Sequence, residues 1–306
     1  MFTVGAAATQ TARNAMQRSL VERLGTLGAT HVRFLYGLPF GLAFLAAIAA
    51  IAGLDGLEPS WRFASWTLAG AVFQIAGTAL MLAAMRERAF VVAIAYVKTE
   101  PVLIAAFGFV VLGEALGAQA MLAVALATAG VLLMSLPAAH AAADAPGPQR
   151  PRGFARLRPA LLGVASGAMF ALSAVGFRGA IVDLGDAPFY TRSTFTLAAS
   201  LAIQTALLTG WLLARDRRVL REILRAWRPS LAAGAAGALA SQMWFLAFSL
   251  QAAAAVRTVG LVEILFAQAA SRRLFSQRTS RRETLGIVTM VAGLVLLLAA
   301  QRAPAP

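Results

Sequence analysis

Runs of about twenty predominantly apolar residues recur from one end of this chain to the other, separated by short breaks rich in arginine, glycine or proline. A helix of that length matches the roughly 30 Å hydrocarbon layer of a bilayer. Backbone polar groups at that depth must be satisfied within helices or a closed barrel. Ten spans are expected, at 2–17, 29–52, 64–84, 89–112, 118–137, 159–178, 187–214, 229–250, 253–274 and 284–301. The first is the shortest and holds Arg13 and Asn14, so nine is the alternative count. Of the 306 residues 59% are hydrophobic and only 13% charged, against about 25% charged in soluble domains. The fold expected is an all-α integral membrane protein.

The net charge is +14, almost all from arginine. These arginines cluster between apolar runs, where they anchor and orient a chain in an anionic-lipid membrane. They do not build the continuous basic face that nucleic acid requires, and no nucleic-acid partner is expected. The absence of cysteine excludes disulfides, thiol catalysis and cysteine-ligated metals. His31 and His140 form no metal-binding pattern, so no metal or cofactor is expected. The sole lysine, Lys98, follows a valine and not the glycine of a P-loop, which excludes an ATP-driven pump within this chain. No basic signal-peptide region precedes the first apolar run.

The segment AAHAAADAPGPQRPRGFARLRP reads as a linker, dividing the chain into halves 1–137 and 159–306 around residues 138–158. A shift of 163 places Glu100 on Glu263 and Gly130 on Gly293. A shift of 160 pairs Arg18 and Leu24-Gly25 with Arg178 and Leu184-Gly185, and a shift of 159 pairs Arg33 with Arg192. Five spans per half is odd, so the second half must enter the membrane upside down. The expectation is therefore ten transmembrane helices as two inverted five-helix repeats, with a binding site near mid-membrane where they meet. Nineteen arginines, from Arg18 to Arg282, fall in the loops after odd-numbered spans, and three (Arg62, Arg178, Arg302) on the opposite side. That bias places the first set in the cytoplasm and both termini outside, in a multi-pass protein of a bacterial-type inner membrane.

The segments AYVKTEPVLIAAFGFVVLGEALGAQ and ALATAGVLLM resemble the repeat signature of the drug/metabolite transporter superfamily, in particular its EamA-type ten-helix transporters. The second half keeps the pattern in degraded form, in VEILFAQAASRRLFSQ, with Ile264 for Pro101 and Ser276-Gln277 for Gly113-Glu114. The arginines early in spans two and seven are also similar to the family's. The resemblance implies secondary active transport of small metabolites through a central cavity lined by both halves. Its substrates range over amino acids, sugars, nucleotide sugars and drugs. Its well-known ten-helix members keep both termini in the cytoplasm, opposite to the arginine count.

Glu100 and Glu263 fall near the middle of spans four and nine. A mid-bilayer acid costs about 2.5–3.5 kcal/mol on insertion scales and is rare without a partner or a watered cavity. Two such acids meeting between the halves would make a shared proton site; the alternative is a structural ion pair for each. Lys98 stands about 200° from Glu100 round a continuous helix, which directs it to another helix, a substrate or cavity water; Tyr96 shares the face of Glu100. Pro101 frees the Val97 carbonyl and suggests a hinge, or a static kink. Arg33 and Arg192, with His31 beside the first, lie a turn inside their spans, where substrate contact competes with snorkelling to the headgroups. Arg13 and Arg257 are similar cases with weaker signals. Gln74, Gln242, Trp244 and Gln268 either line the cavity or bond between helices. Gly37/Gly41 and Gly163/Gly167 are GxxxG patterns for close helix packing.

The function expected is a secondary active transporter exporting a small polar or amphipathic metabolite, amino-acid-like or drug-like, by proton antiport or exchange. The alternatives are a carrier of a nucleotide- or lipid-linked sugar phosphate and an integral membrane enzyme. Against the enzyme, no nucleophile–base arrangement is readable. The expected partners are the small-molecule substrate and the lipid bilayer, with the protein a monomer or homodimer.

Overall fold

The structure is a computed structural model and describes residues 1–87, 90–135, 154–266 and 281–300. These residues are helical throughout, with short connections. The helices are α1 (Phe2–Leu35), α2 (Leu38–Ala52), α3 (Trp61–Glu87), α4 (Phe90–Val97), α5 (Glu100–Leu112) and α6 (Ala118–Ser135). There follow α7 (Phe154–Val182), α8 (Phe189–Arg215), α9 (Arg217–Arg225), α10 (Trp227–Leu250), α11 (Ala253–Val259) with a 3-10 turn at Gly260–Val262, and α12 (Arg281–Ala300). Five stretches are long and apolar enough to cross a membrane: Phe2–Ala52, Trp61–Glu87, Arg158–Val182, Phe189–Arg215 and Trp227–Leu250. Three shorter apolar helices accompany them, Glu100–Leu112, Ala118–Leu133 and Thr284–Ala300.

The boundaries differ from the sequence reading in four places. The first span runs on to Leu24 before the chain reverses at Gly25, whose φ of 67° is open to glycine but strained for other residues. The reversal is evident from Gln17, whose amide donates to the Ala29 carbonyl at 2.9 Å, a contact that twelve residues of straight helix would forbid. The second span is broken at Tyr36-Gly37. The fourth is broken at Lys98-Thr99, because Pro101 in the first turn of α5 cannot donate to the preceding turn. At the linker, residues 138–153 lie outside the described residues, but 154–158 already belong to α7. The ninth span is described as far as residue 266; Gln268, Ser276 and Gln277 lie outside.

Small residues set the helix pairing. A Cβ on Gly130 of α6 would lie 2.4 Å from the Met290 amide nitrogen of α12, and a Cβ on Gly293 of α12 would lie 2.5 Å from the Ala127 amide nitrogen of α6. The two helices therefore run antiparallel in backbone contact through reciprocal glycines. α3 lies along α7, where a Cβ on Gly176 would lie 3.0 Å from the Gly70 backbone while Gly70 faces the Phe177 ring, and α1 lies along α10. Gly163 and Gly167 of α7 admit α4, the first against Tyr96 and the second against the Val97 carbonyl. Gly41 of α2 admits Leu201 of α8.

The ends of the bundle differ in charge. On one end, Arg23 pairs with Glu222 and Arg158 with Glu87, gathering the arginine-rich loops and α9. α9 is capped by Asp216, which accepts from the Arg218 and Val219 amides, and turns Ile223 into the core. On the other end, Arg62 pairs with Asp183, and the 53–60 and 183–188 turns bond through Glu58 to Leu184 and Ala187 to Gly56. Asp55, Glu58, Asp183 and Asp186 make that end acidic.

Candidate binding cavity

The broken helices converge on one buried polar site. On α1, Gln10, Arg13, Asn14 and Gln17 recur at helical spacing, and all four are buried. Opposite them, α10 presents Gly237, Ser241, Trp244 and Phe248 on one face. Between these walls enter Lys98 from the α4–α5 break, Glu100 from the first turn of α5, Arg257 from α11, and Glu263 just after the 3-10 turn. The breaks have a geometric consequence. They turn consecutive polar groups toward a common point that a straight helix would spread round its circumference.

Glu263 is held by three donors. Lys98 Nζ and Gln10 Nε2 both reach Oε2, the latter at 2.7 Å, and Asn14 Nδ2 reaches Oε1 at 3.1 Å. Gln10 in turn accepts from Trp244 Nε1 at 2.9 Å, and Arg13 donates to Asn14 Oδ1 at 2.6 Å. Glu100 is held more loosely. Arg257 Nε stands 3.3 Å from Glu100 Oε1, in Coulomb contact but without the alignment of a hydrogen bond. The Arg257 guanidinium lies 4.1 Å over the Trp244 ring, a cation–π contact that fixes it without neutralising it. Arg33 donates to Thr78 Oγ1 at 3.1 Å and Ser241 Oγ at 3.3 Å.

Each ion pair joins one half of the sequence to the other. Lys98 and Glu100 come from the first half, Arg257 and Glu263 from the second, and each base takes the acid of the opposite half. The offsets explain why only one base stood out in the sequence. Lys98 precedes its own half's acid by two residues and Arg257 by six.

Glu100, Glu263, Lys98, Arg33, Gln74 and Trp244 all line the cavity, and Gln74 also bonds to Gln204 at 2.8 Å. Arg33 is buried, so snorkelling is not its fate. Three residues expected to bind lie elsewhere. Tyr96 packs against Gly163, since the Lys98-Thr99 break rotates it off the face of Glu100. Arg192 donates to the Gly185 carbonyl at 3.3 Å, and Gln242 donates to Thr194 at 2.8 Å. Pro101, expected as a hinge or kink, lies in the first turn of α5 beside the break. His31 bonds to Thr209. Gln10 was missed in the sequence reading, and Arg13, Asn14 and Arg257 were undervalued. The polar repeat at 10, 13, 14 and 17 within an apolar run is the signal by which the first three could have been found.

The cavity is closed. Its open volume is about 20 Å³, room for a water molecule and far below the ~300 Å³ or more of a small-molecule site. Toward the acidic end, Arg178 bonds to Glu114 Oε1 at 2.8 Å and to the Phe248 carbonyl, tying α7 to the end of α5 and to α10.

Residues 1–136 match the sequence profile of the EamA-like transporter family. The family is one of membrane transporters, which fits a non-enzymatic role, and the apolar helices agree with a multi-pass membrane protein. A solved structure described only as the crystal structure of a protein aligns over 99% of this chain and 98% of its own, with a TM-score of 0.69 and 16% identity. That likeness is one of fold alone and spans nearly the whole chain. No curated protein matches the sequence.

Proposed function

We propose that the protein is a secondary active transporter that binds a small polar or amphipathic metabolite in the Glu100–Glu263 cavity and exports it by proton antiport or exchange. The observation that carries this reading is the pair of crossed ion pairs lining one closed cavity. Two expensive buried acids, each held by a base from the other half, have no use in a passive scaffold. The reciprocal Gly130 and Gly293 contacts and the positive-φ turns at Gly25 and Gly185 support an inverted five-plus-five repeat. They occur at the offsets of 163 and 160 that align the two halves.

Such a repeat works by rocking one half against the other about a central site. Ion pairs that cross between the halves oppose that motion while both acids are charged. A proton on Glu100 would release Arg257, and its loose grip makes Glu100 the acid that exchanges protons. Glu263, with three donors, is the anchored member. The acidic end is then closed by the Arg178 latch. The charged ends support arginines in the cytoplasm and both termini outside.

The test is transport in proteoliposomes carrying a pH-sensitive dye inside. A panel of amino acids, sugar phosphates and cationic drugs is added with and without an imposed pH gradient. The parent should couple one class to proton movement, and Glu100→Gln should abolish the coupling. Undiminished, pH-independent flux in both Glu100→Gln and Glu263→Gln would end the proton mechanism.

A further inference from the structure

The charges lining the cavity do not balance. Arg13, Arg33, Lys98 and Arg257 bring four positive charges, and Glu100 and Glu263 two negative ones, so the site carries a formal +2. Among the described residues no further acid lines it. An uncompensated charge removed from water is costly, and buried bases are ordinarily paired one to one. Three N–H groups are also without an acceptor: Arg13 Nη1, Arg33 Nε and Arg257 Nε. Arg13 and Arg33 are only 1% and 3% exposed, so water does not satisfy them from outside.

These three arginines share one wall. A Cβ on Gly237 would meet Arg33 Cγ at 3.2 Å and Arg13 Cδ at 3.3 Å, so both stems cross the same bare patch of α10. Two turns along that face, Trp244 carries the Arg257 guanidinium, and between them Ser241 takes Arg33. The wall holds its cations by a ring face, hydroxyls and a glycine, none of which cancels their charge. Guanidinium is the group best matched to carboxylate and phosphate oxygens, through two parallel N–H donors.

We propose that the transported molecule carries an oxyanion, a carboxylate or a phosphate, which docks on the Arg13–Arg33–Arg257 wall and neutralises it. The inference rests on the transport reading of the cavity and narrows it to one substrate class. The oxyanion takes the unpartnered N–H groups and competes with Glu100 for Arg257, so that substrate entry and release of the Glu100 ion pair are one event. The closed volume requires the side chains between the two walls to move apart as it enters.

The experiment uses the full chain in detergent and follows its unfolding temperature. The probes are sodium phosphate and sodium benzoate, with benzyl alcohol and sodium chloride as controls at matched ionic strength. A saturable rise of a few degrees is expected with one or both oxyanions and with neither control. Phosphate alone would identify a phosphate-bearing substrate, and benzoate alone a carboxylate. Arg33→Met should remove the shift, and Arg192→Met, altered outside the cavity, should keep it. Should Arg33→Met fail to fold, Gly237→Ala, which keeps every charge but crowds both stems, should weaken the apparent affinity at least threefold. No saturable shift, or a shift equal in chloride or undiminished in the cavity variants, overturns the proposal. Proteoliposomes separate its failure from that of the transport reading. Flux of a substrate without an oxyanion leaves transport standing and removes the oxyanion. Saturable oxyanion binding with no flux does the reverse.

Discussion

Glu100 and Arg257 form the ion pair whose removal tests the site most directly. At 3.3 Å and an effective dielectric of 20, their Coulomb attraction is about 5 kcal/mol. Breaking a buried pair from one side ordinarily costs about 3–5 kcal/mol, because the survivor is left charged and unpaired. Glu100→Gln should fall in that range, since it raises the cavity's formal charge from +2 to +3 and leaves Arg257 held only by the rings of Trp244 and Phe248. Arg257→Met should cost less, because it lowers the charge to +1 and Lys98 remains near Glu100. The double variant Glu100→Gln/Arg257→Met removes both charges and should recover most of the loss, with a coupling energy of about 2 kcal/mol or more. The assay is unfolding in mixed micelles with increasing dodecyl sulfate, followed by tryptophan fluorescence. Singles that each cost under about 1 kcal/mol and add in the double would show that the pair contributes nothing. A larger loss for Arg257→Met than for Glu100→Gln would refute the cation excess.

Four further outcomes are expected. Gly130→Ala and Gly293→Ala should each destabilise by about 1–3 kcal/mol through overpacking, and the double should cost little more than one. A single separation of α6 and α12 relieves both clashes, so full additivity in thermal unfolding would exclude the reciprocal contact. Because the chain has no cysteine, Ser241→Cys gives one reporter inside the cavity; adding Arg178→Met should raise its maleimide labelling from the acidic end several-fold, and an unchanged rate would rule out the latch. In intact cells a cysteine at Glu58 should react with an impermeant maleimide and one at Arg225 should not, the opposite result inverting the orientation. Glu222, outside the membrane, is held below the usual carboxylate range by its hydrogen bond from Arg225 and by the charges of Arg225 and Arg23. The stability from that interaction is full above the ordinary glutamate pKa of about 4.3 and is lost as pH falls through the lower folded value. Amide exchange in α9 should therefore quicken under acid, and exchange independent of pH after correction for intrinsic rates would dismiss the tie.

The sequence was informative wherever a chemical anomaly stood against an apolar background. Lys98, Glu100 and Glu263 were legible because ionic groups in the middle of spanning runs are costly whatever they do. Gly130 and Gly293 were legible as a matched pair, although their contact with each other's helix was not. Arg257 was undervalued because it lies near the start of its run, where an arginine ordinarily reaches the headgroups. Its real position follows from the short α11 and the 3-10 turn, which carry it inward beside Trp244. Tyr96 failed for the converse reason: the face it was assigned to requires a continuous helix, and the chain is broken at Lys98-Thr99. Helical periodicity carries no information across such a break.

Pro101 and Lys98 have no counterparts by position in the second half, where Ile264 and Leu261 stand, yet both halves reach the same arrangement. The first half breaks its helix with proline and sends in a lysine from the break. The second breaks with a 3-10 turn and sends in an arginine from one turn earlier. What the two halves share is not the residue pattern but the pairing of a buried acid with a base from the opposite half. The difference between the bases has a consequence of its own. Lys98 is a compact charge that reaches Glu263 directly, whereas the Arg257 guanidinium lies over Trp244 with its Nε–H unpartnered. Under the transport proposal, the two acids that both halves supply would take the proton, and the cation over an aromatic ring would take the substrate.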